Sequence, residues 1–177
     1  IVKSHCHFLA IDGEHEANIN ENDWVELKMS DVKEIEQGED YFILDTGSPH
    51  YVVFVEDLDD IKVVENAQMI SYSNRFRKEG INVNFVEKNN QGLLIATYER
   101  GVEGETLSCG TGVTAAALAA FLKRGQSGEN QLDVKAKGGD LKVRFEKNDT
   151  QGFKNIWLCG KAELVFEGNY QLKGMVK

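Results

Sequence analysis

The 177-residue sequence predicts an α/β chain of the α+β kind, a mostly antiparallel sheet wrapped around one buried helix. Three observations lead there. Apolar and polar residues alternate in a series of short runs, as on half-buried strands. Turn-forming Gly, Asn and Asp residues separate many of those runs at a spacing of about ten residues, too short for parallel crossovers at every step. Finally, Gly112 to Lys123, GVTAAALAAFLK, is apolar all round through its middle. A helix without a polar face is covered on every side.

In chain order, the alternation predicts strands at His7–Ile11, Trp24–Met29, Tyr41–Asp45, Tyr51–Val55, Asn82–Glu87, Leu93–Tyr98, Leu132–Ala136, Leu141–Phe145, Ile156–Cys159 and Ala162–Phe166. Turns are expected at Asp12-Gly13, Asn89-Asn90, Gly138-Gly139 and Asn148-Asp149. A moderately amphipathic helix is expected from Glu65 to Phe76, and the buried one from Gly112 to Lys123. No internal repeat or low-complexity tract occurs. The only proline is Pro49, so no proline-rich linker divides the chain.

Composition narrows the function. The chain is 41% hydrophobic, enough for a packed core, and carries 20 basic against 29 acidic residues, a net charge of −9. Such a surface repels phosphate backbones and anionic lipids, so neither nucleic acid nor membrane is an expected partner. No apolar run approaches the roughly 20 residues of a membrane span. The acidic stretch Glu56 to Asp60 reads as a solvated loop. The cysteines Cys6, Cys109 and Cys159 are three, widely spaced and without a Cys-x-x-Cys pair, which fits a reducing, cytoplasmic compartment better than a disulfide framework. His5 and His7 would share one face of a strand while Cys6 points away. Two imidazoles fall short of a zinc ligand set, and no metal is expected there.

The chemistry concentrates in Tyr98 to Ala117, YERGVEGETLSCGTGVTAAA. A polar loop leads from a strand to Cys109, and Gly110-Thr111-Gly112 then opens the buried helix. Free N–H groups at a helix start bind anions. A cysteine held there is expected to have a lowered pKa. Arg100 offers a fork for a carboxylate, and Glu99 offers acceptors for an ammonium group. The bland alternative is that Cys109 is a small packing residue beside an Ala-rich helix. Gly110 to Ala115 also fits the G-x-G-x-x-G/A pattern of dinucleotide sites. However, the lead-in Gly104-Glu105-Thr106-Leu107-Ser108 is polar and no parallel βαβ unit surrounds it, so no nicotinamide or flavin is expected.

Three segments in order carry a family resemblance. Tyr98-Glu99-Arg100-Gly101, Gly104-Glu105-Thr106 and Cys109-Gly110-Thr111-Gly112 with its Ala-rich helix are similar to the second cysteine motif of diaminopimelate epimerases. Thr46-Gly47-Ser48-Pro49-His50, followed by Val52-Val53-Phe54-Val55-Glu56-Asp57-Leu58, resembles the family's Pro-His segment. Ile81-Asn82-Val83-Asn84-Phe85 resembles its short Asn-containing strand. The resemblance covers roughly Trp24 to Leu172.

The resemblance implies two similar domains facing across a cleft, each supplying one cysteine, with no pyridoxal phosphate or metal. One cysteine removes the substrate's α-proton and the other returns a proton on the opposite face. Carried over by motif, Cys109 is one of the pair, Glu99 and His50 complete the catalytic set, and Gly110 and Thr111 offer N–H groups to the α-carboxylate. Asn82, Glu99, Arg100 and Ser48 stand at substrate-binding positions. The implied activity is conversion of LL- to meso-diaminopimelate in lysine and peptidoglycan precursor synthesis, with a small amino acid as partner.

Three departures stand out. Ser48 replaces the more usual Asn and reaches less far. The loop Gly101-Val102-Glu103-Gly104 is one residue longer than the common form. No Cys-Gly-Asn-Gly motif occurs: His7-Phe8 follows Cys6 and Gly160-Lys161 follows Cys159, so both read as packing residues. With no Met at Ile1, the expectation is that further N-terminal sequence precedes it. Residues 1–27 would then be a remnant of an N-terminal domain, 28–160 the C-terminal epimerase domain and 161–177 a return segment, and the fragment alone would be inactive. Remnant strand edges would suit pairing with a second copy as a homodimer. Two other readings remain open: a related proline or hydroxyproline racemase or phenazine-pathway isomerase, and a silent binding module of the same fold.

Overall fold

A computed structural model describes residues 4–10, 13–20, 23–123, 128–148 and 152–170. Ile11, Asp12, Asp149 and the end of the return segment beyond Tyr170, named above, lie outside the described residues. The elements run β1 (His5–Ala10), β2 (Gly13–Ile19), β3 (Trp24–Lys28), β4 (Ile35–Gln37), β5 (Tyr41–Asp45), β6 (Pro49–Val55), α1 (Val63–Ser71), β7 (Asn82–Asn89), β8 (Gly92–Glu99), β9 (Gly104–Thr106), α2 (Gly110–Leu122), β10 (Gly128–Ala136), β11 (Gly139–Asn148) and β12 (Gly152–Lys161).

The strands form one sheet in the order β1-β2-β3-β12-β11-β10-β8-β7-β6-β5-β4, with β9 beside β8. Among the described residues, only β6–β7 and β8–β10 pair in parallel. Each of these parallel pairs is joined through a helix, α1 in one case and α2 in the other, because a tight turn cannot join parallel neighbours. The β12 strand pairs with both β11 and β3, which ties the first three strands to the rest.

Helix α2 lies inside the curve of this sheet and touches β5, β6, β7, β8, β10, β11 and β12. Val113 and Ala115 to Ala119 are fully buried, the surroundings that their all-round apolar pattern predicts. At its C-terminal end Phe121 meets Phe145 and Phe153 edge-on, with ring centroids 5.2 Å and 6.0 Å away. Burying each such side chain contributes about 1.5–3 kcal/mol. A smaller core of Ala67, Ile81, Val83, Phe85 and Tyr98 packs under α1 on the other face of the same strands.

The predicted strands other than the last are present, and several are longer than alternation alone suggests. Three strands were not expected. The β2 segment GEHEANI has no apolar alternation, and β4 and β9 span three residues each. Ala162–Phe166 is not a strand. The backbone leaves the sheet after Lys161, and Leu164, Val165 and Phe166 are more than 80% exposed. Their apolar pattern lacks a neighbouring strand among the described residues. Helix α1 starts and ends earlier than expected, and turns continue from it to Gly80. Helix α2 begins at Gly110, not Gly112, which makes Cys109 its N-cap.

Candidate functional site

The central strands carry residues of opposite character along the face that looks onto α2. On β6, Val52 joins the α2 core and His50 lies one step nearer the strand start. On β7, Val86 joins that core while Asn84 and Asn82 lie back along the same face. On β8, Leu93 and Ile95 are apolar and Thr97 follows. With a side-chain period of two, each stripe changes from apolar to polar at the same end of the sheet. The parallel register places His50 beside Asn82, and the antiparallel one places Asn84 beside Thr97. The N-terminus of α2 meets this polar end.

A chain of hydrogen bonds runs through it. Thr97 Oγ1 donates to Asn84 Oδ1 at 3.0 Å, and Asn84 Nδ2 donates to His50 Nδ1 at 2.9 Å. That leaves Nε2 of the neutral ring to donate to Thr111 Oγ1 at 2.9 Å. The Thr111 hydroxyl is then free to donate to Cys109 Sγ, 3.4 Å away. His50 is fully buried and its pKa is pushed down to about 3, first by burial and then by the charge of Arg100, against the hydrogen bond from Asn84. It is a fixed neutral donor, not a proton exchanger near pH 7.

Cys109 has extended backbone angles (φ −127°, ψ 109°), and its carbonyl accepts the first bond of α2 from Val113 N at 2.8 Å. The N–H groups of Gly110, Thr111 and Gly112 precede that bond and have no acceptor inside the helix. Gly112 must be glycine. A Cβ there would stand 2.5 Å from Asn84 Oδ1 and 3.3 Å from His50 Cε1.

The expectation of a lowered Cys109 pKa is corrected. Burial pushes the thiol up, the Thr111 hydroxyl and the Gly112 N–H pull it down, Glu99 pushes it up again, and the balance lies above the ordinary value. Sequence shows the helix start but not the depth of the sulfur beneath it. Cys109 therefore rests as a thiol at neutral pH.

A second network joins the remaining expected positions. Asn82 Nδ2 donates to Ser48 Oγ at 2.8 Å and to the Pro49 carbonyl, and Asn82 Oδ1 accepts from the Arg100 backbone N–H at 3.0 Å. Ser48, for all its short reach, is held by Asn82. The Arg100 guanidinium donates to the Glu79 carbonyl at 3.0 Å. Glu99 accepts from Thr106. The loop Gly101-Val102-Glu103-Gly104 is gripped at Glu103, which accepts from Tyr72, Tyr98 and the Gly101 N–H; these bonds pull its carboxyl pKa down to about 2.

Cys109, Gly110, Thr111, His50, Asn82, Ser48, Glu99 and Arg100 are thus gathered around the start of α2. Residues that sequence reasoning missed are Asn84, Thr97 and Thr46, whose hydroxyl donates to the Thr111 carbonyl at 2.8 Å. Asn84 carried a signal, because it shares a strand face with Asn82. Cys159 is buried and Cys6 half-buried, and among the described residues neither adjoins a glycine-opened helix.

The family model for diaminopimelate epimerase matches residues 42–165. A diaminopimelate epimerase of Flavobacterium psychrophilum is 44% identical over 168 residues, which is 94% of this chain and 65% of the relative. One from Hydrogenobaculum sp. is 39% identical over 173 residues, 91% of this chain and 60% of the relative. The chain thus spans a little under two thirds of the length of these curated relatives. A Bacillus anthracis phenazine biosynthesis protein of the PhzF family superposes with a TM-score of 0.64 at 13% identity, over 91% of this chain and 66% of the other. A hydroxyproline epimerase from Agrobacterium vitis gives 0.59 at 15%, over 91% and 58%. These two solved structures share the fold.

Proposed function

Because the chain belongs to the diaminopimelate epimerase family, we propose that it supplies one half of a two-thiol active site that interconverts LL- and meso-diaminopimelate without a cofactor. The observation that carries this reading is the placement of Cys109: a buried thiol capping α2, with the Thr111 hydroxyl 3.4 Å from its sulfur and helix-start N–H groups beside it that have no acceptor inside the helix.

The chemistry follows from that placement. An α-proton is a very weak acid, so a base must be held within hydrogen-bond reach of it. Charge develops on the α-carboxylate as the proton leaves. The N–H groups of Gly110 and Thr111 are fixed donors that would meet that charge, stabilising the transition state more than the ground state. Cys109 rests protonated and delivers a proton to one face. The chain Thr97–Asn84–His50–Thr111 aims a donor at the thiolate left behind. Glu99 and Arg100 would contact the substrate near the reacting carbon, and Asn82 and Ser48 its distal end.

Inversion needs a second acid–base group on the opposite face, and neither Cys6 nor Cys159 has the surroundings for it. A parent protein with a second domain would provide that group, and the 177-residue chain alone is expected to be inactive. On this reading residues 28–160 form the catalytic domain of a cytoplasmic enzyme of lysine and peptidoglycan precursor synthesis.

The test is α-proton exchange in D₂O with a full-length parent protein, LL- and meso-diaminopimelate, and a Cys109→Ser version. Deuterium entering the α-carbon with the parent, and a loss of turnover of about 10²–10⁴-fold with Cys109→Ser, supports the proposal. Interconversion of the two stereoisomers that persists in Cys109→Ser, or no exchange with either substrate in the parent, overturns it.

A further inference from the structure

At the edge of the sheet, the β1–β2 hairpin gathers another set of donor atoms. The register pairs His7 with Glu16 and His5 with Asn18, so these four side chains share one face. His5 Nε2 and His7 Nε2 are 3.0 Å apart, with the rings nearly perpendicular at 81°. The donor atoms of His5, His7 and Glu16 all lie within 4.8 Å of one another. Metal–ligand bonds of about 2.0–2.2 Å put adjacent ligand atoms about 3.3–3.6 Å apart around a tetrahedral ion and about 2.8–3.1 Å apart around an octahedral one, and the two imidazole nitrogens, 3.0 Å apart, stand at the latter spacing.

The second layer is also present. His5 Nδ1 lies 2.7 Å from Asn18 Oδ1. The amide oxygen only accepts, so Nδ1 carries the proton and Nε2 presents its lone pair toward His7. Ligating histidines are ordinarily oriented in this way by a bond from the other ring nitrogen. A cavity of about 310 Å³ opens beside the group, lined by His7, Glu14, Glu16 and Lys28 among others, and leaves room for water ligands. Lys28 Nζ is 3.1 Å from Glu16 Oε2 and holds the carboxylate as a built-in competing cation. Sequence alone offered two same-face imidazoles; the cross-strand register adds the carboxylate and the orienting amide.

We propose that His5, His7 and Glu16 form a binding site for a divalent first-row transition metal of the zinc type, with Asn18 orienting His5 and Lys28 released from Glu16 when the ion binds. Two imidazoles and one carboxylate suit such ions better than magnesium or calcium, which favour all-oxygen ligands. The site lies on β1 and β2, which carry none of the residues placed around Cys109, and it does not rest on the epimerase reading.

The experiment is titration of the 177-residue chain with Zn²⁺ by calorimetry and with Co²⁺ by visible absorption. One equivalent should bind with a nitrogen- and oxygen-ligand cobalt spectrum. His5→Ala, His7→Ala and Glu16→Gln should each weaken binding by more than tenfold, and Asn18→Ala by about tenfold. Lys28→Met, which removes the competitor, should tighten binding severalfold; this gain cannot arise from misfolding. A thiolate-to-cobalt charge-transfer band, affinity unchanged in the three ligand variants, or no binding of either metal to the unaltered chain would overturn the proposal.

Discussion

Cys109 and Cys159 are both buried, and burial pushes both thiols above the ordinary range. Their neighbours differ. Cys109 caps a helix, with the Thr111 hydroxyl and the Gly112 N–H on its sulfur and a neutral His50 behind them. Cys159 lies within β12, its S–H directed at the Trp157 carbonyl 3.7 Å away and the Arg144–Glu26 ion pair nearby. Burial alone therefore does not separate a reactive cysteine from a packing one. Nor does a donor by itself, since the Arg144 side chain pulls the Cys159 pKa down as Thr111 and Gly112 pull down that of Cys109. What separates them is that the donors at Cys109 are a helix-start N–H and a hydroxyl backed by the His50–Asn84 chain, whereas Arg144 is shared with Glu26. In the Cys159 region the same interior serves packing and cross-strand pairing.

The largest expected difference between the two regions is in their response to acid. His50 is held neutral, with its pKa depressed to about 3 against about 6.5 when unfolded. The unfolded chain therefore binds a proton first as pH falls. The stability that His50 contributes is complete above about pH 6.5 and is lost toward pH 3, at up to about 1.4 kcal/mol per pH unit. Below about pH 4.5 the lowered carboxylates Glu36 and Glu103 also contribute, so the clean window is about pH 6.5 to 4.5. Urea unfolding across that window should show a one-proton slope that His50→Gln flattens. An unchanged slope in His50→Gln would place the acid response outside the Cys109 region.

A smaller effect distinguishes the glycines beside the two sulfurs. An added Cβ at Gly112 meets Asn84 Oδ1 at 2.5 Å, and that amide is held by Thr97 and His50. An added Cβ at Gly160 meets only the end of the Leu141 side chain, at 2.7 Å. Overpacking against a locked polar group costs about 1–3 kcal/mol, whereas a flexible apolar tip swings away. Gly112→Ala should lower the unfolding free energy measured by urea titration by that amount, and Gly160→Ala by less than about 1 kcal/mol. Equal costs would mean that the polar network yields as easily as the apolar packing.

The same contrast explains what could be read from sequence. Alternation located most strands, and the all-round apolar run from Ala115 to Phe121 located the buried helix, because periodicity records which faces are covered. It missed β2, where Glu14, His15 and Glu16 form a strand held by its neighbours β1 and β3. It wrongly promoted Ala162–Phe166, since apolar spacing does not say whether a partner strand is present. At the site, the helix start singled out Cys109, and the family resemblance added His50 and Asn82 as candidates. Neither revealed Asn84 and Thr97, whose roles come from cross-strand register, or the raised Cys109 pKa, which comes from depth.

The smallest predicted effect isolates one bond of the Cys109 chain. The Thr111 hydroxyl lowers the Cys109 pKa, so removing it must raise that pKa and reduce the thiolate present at a given pH. A hydrogen bond to a charged group contributes about 1.5–3 kcal/mol at most, and one at 3.4 Å to sulfur contributes less; one pKa unit corresponds to about 1.4 kcal/mol. In Thr111→Val, the pH profile of Cys109 alkylation, read by peptide-resolved mass spectrometry, should therefore shift upward by up to about one unit. Thr111→Ser, which keeps the hydroxyl, should restore it. Cys159 has no contact with Thr111 and should keep its own profile in both variants. A Thr111→Val profile that overlays the unaltered one would mean that the donor chain ends at Thr111 and does not reach the sulfur. The contrast between the two cysteines would then rest on the Gly112 N–H and the helix start alone.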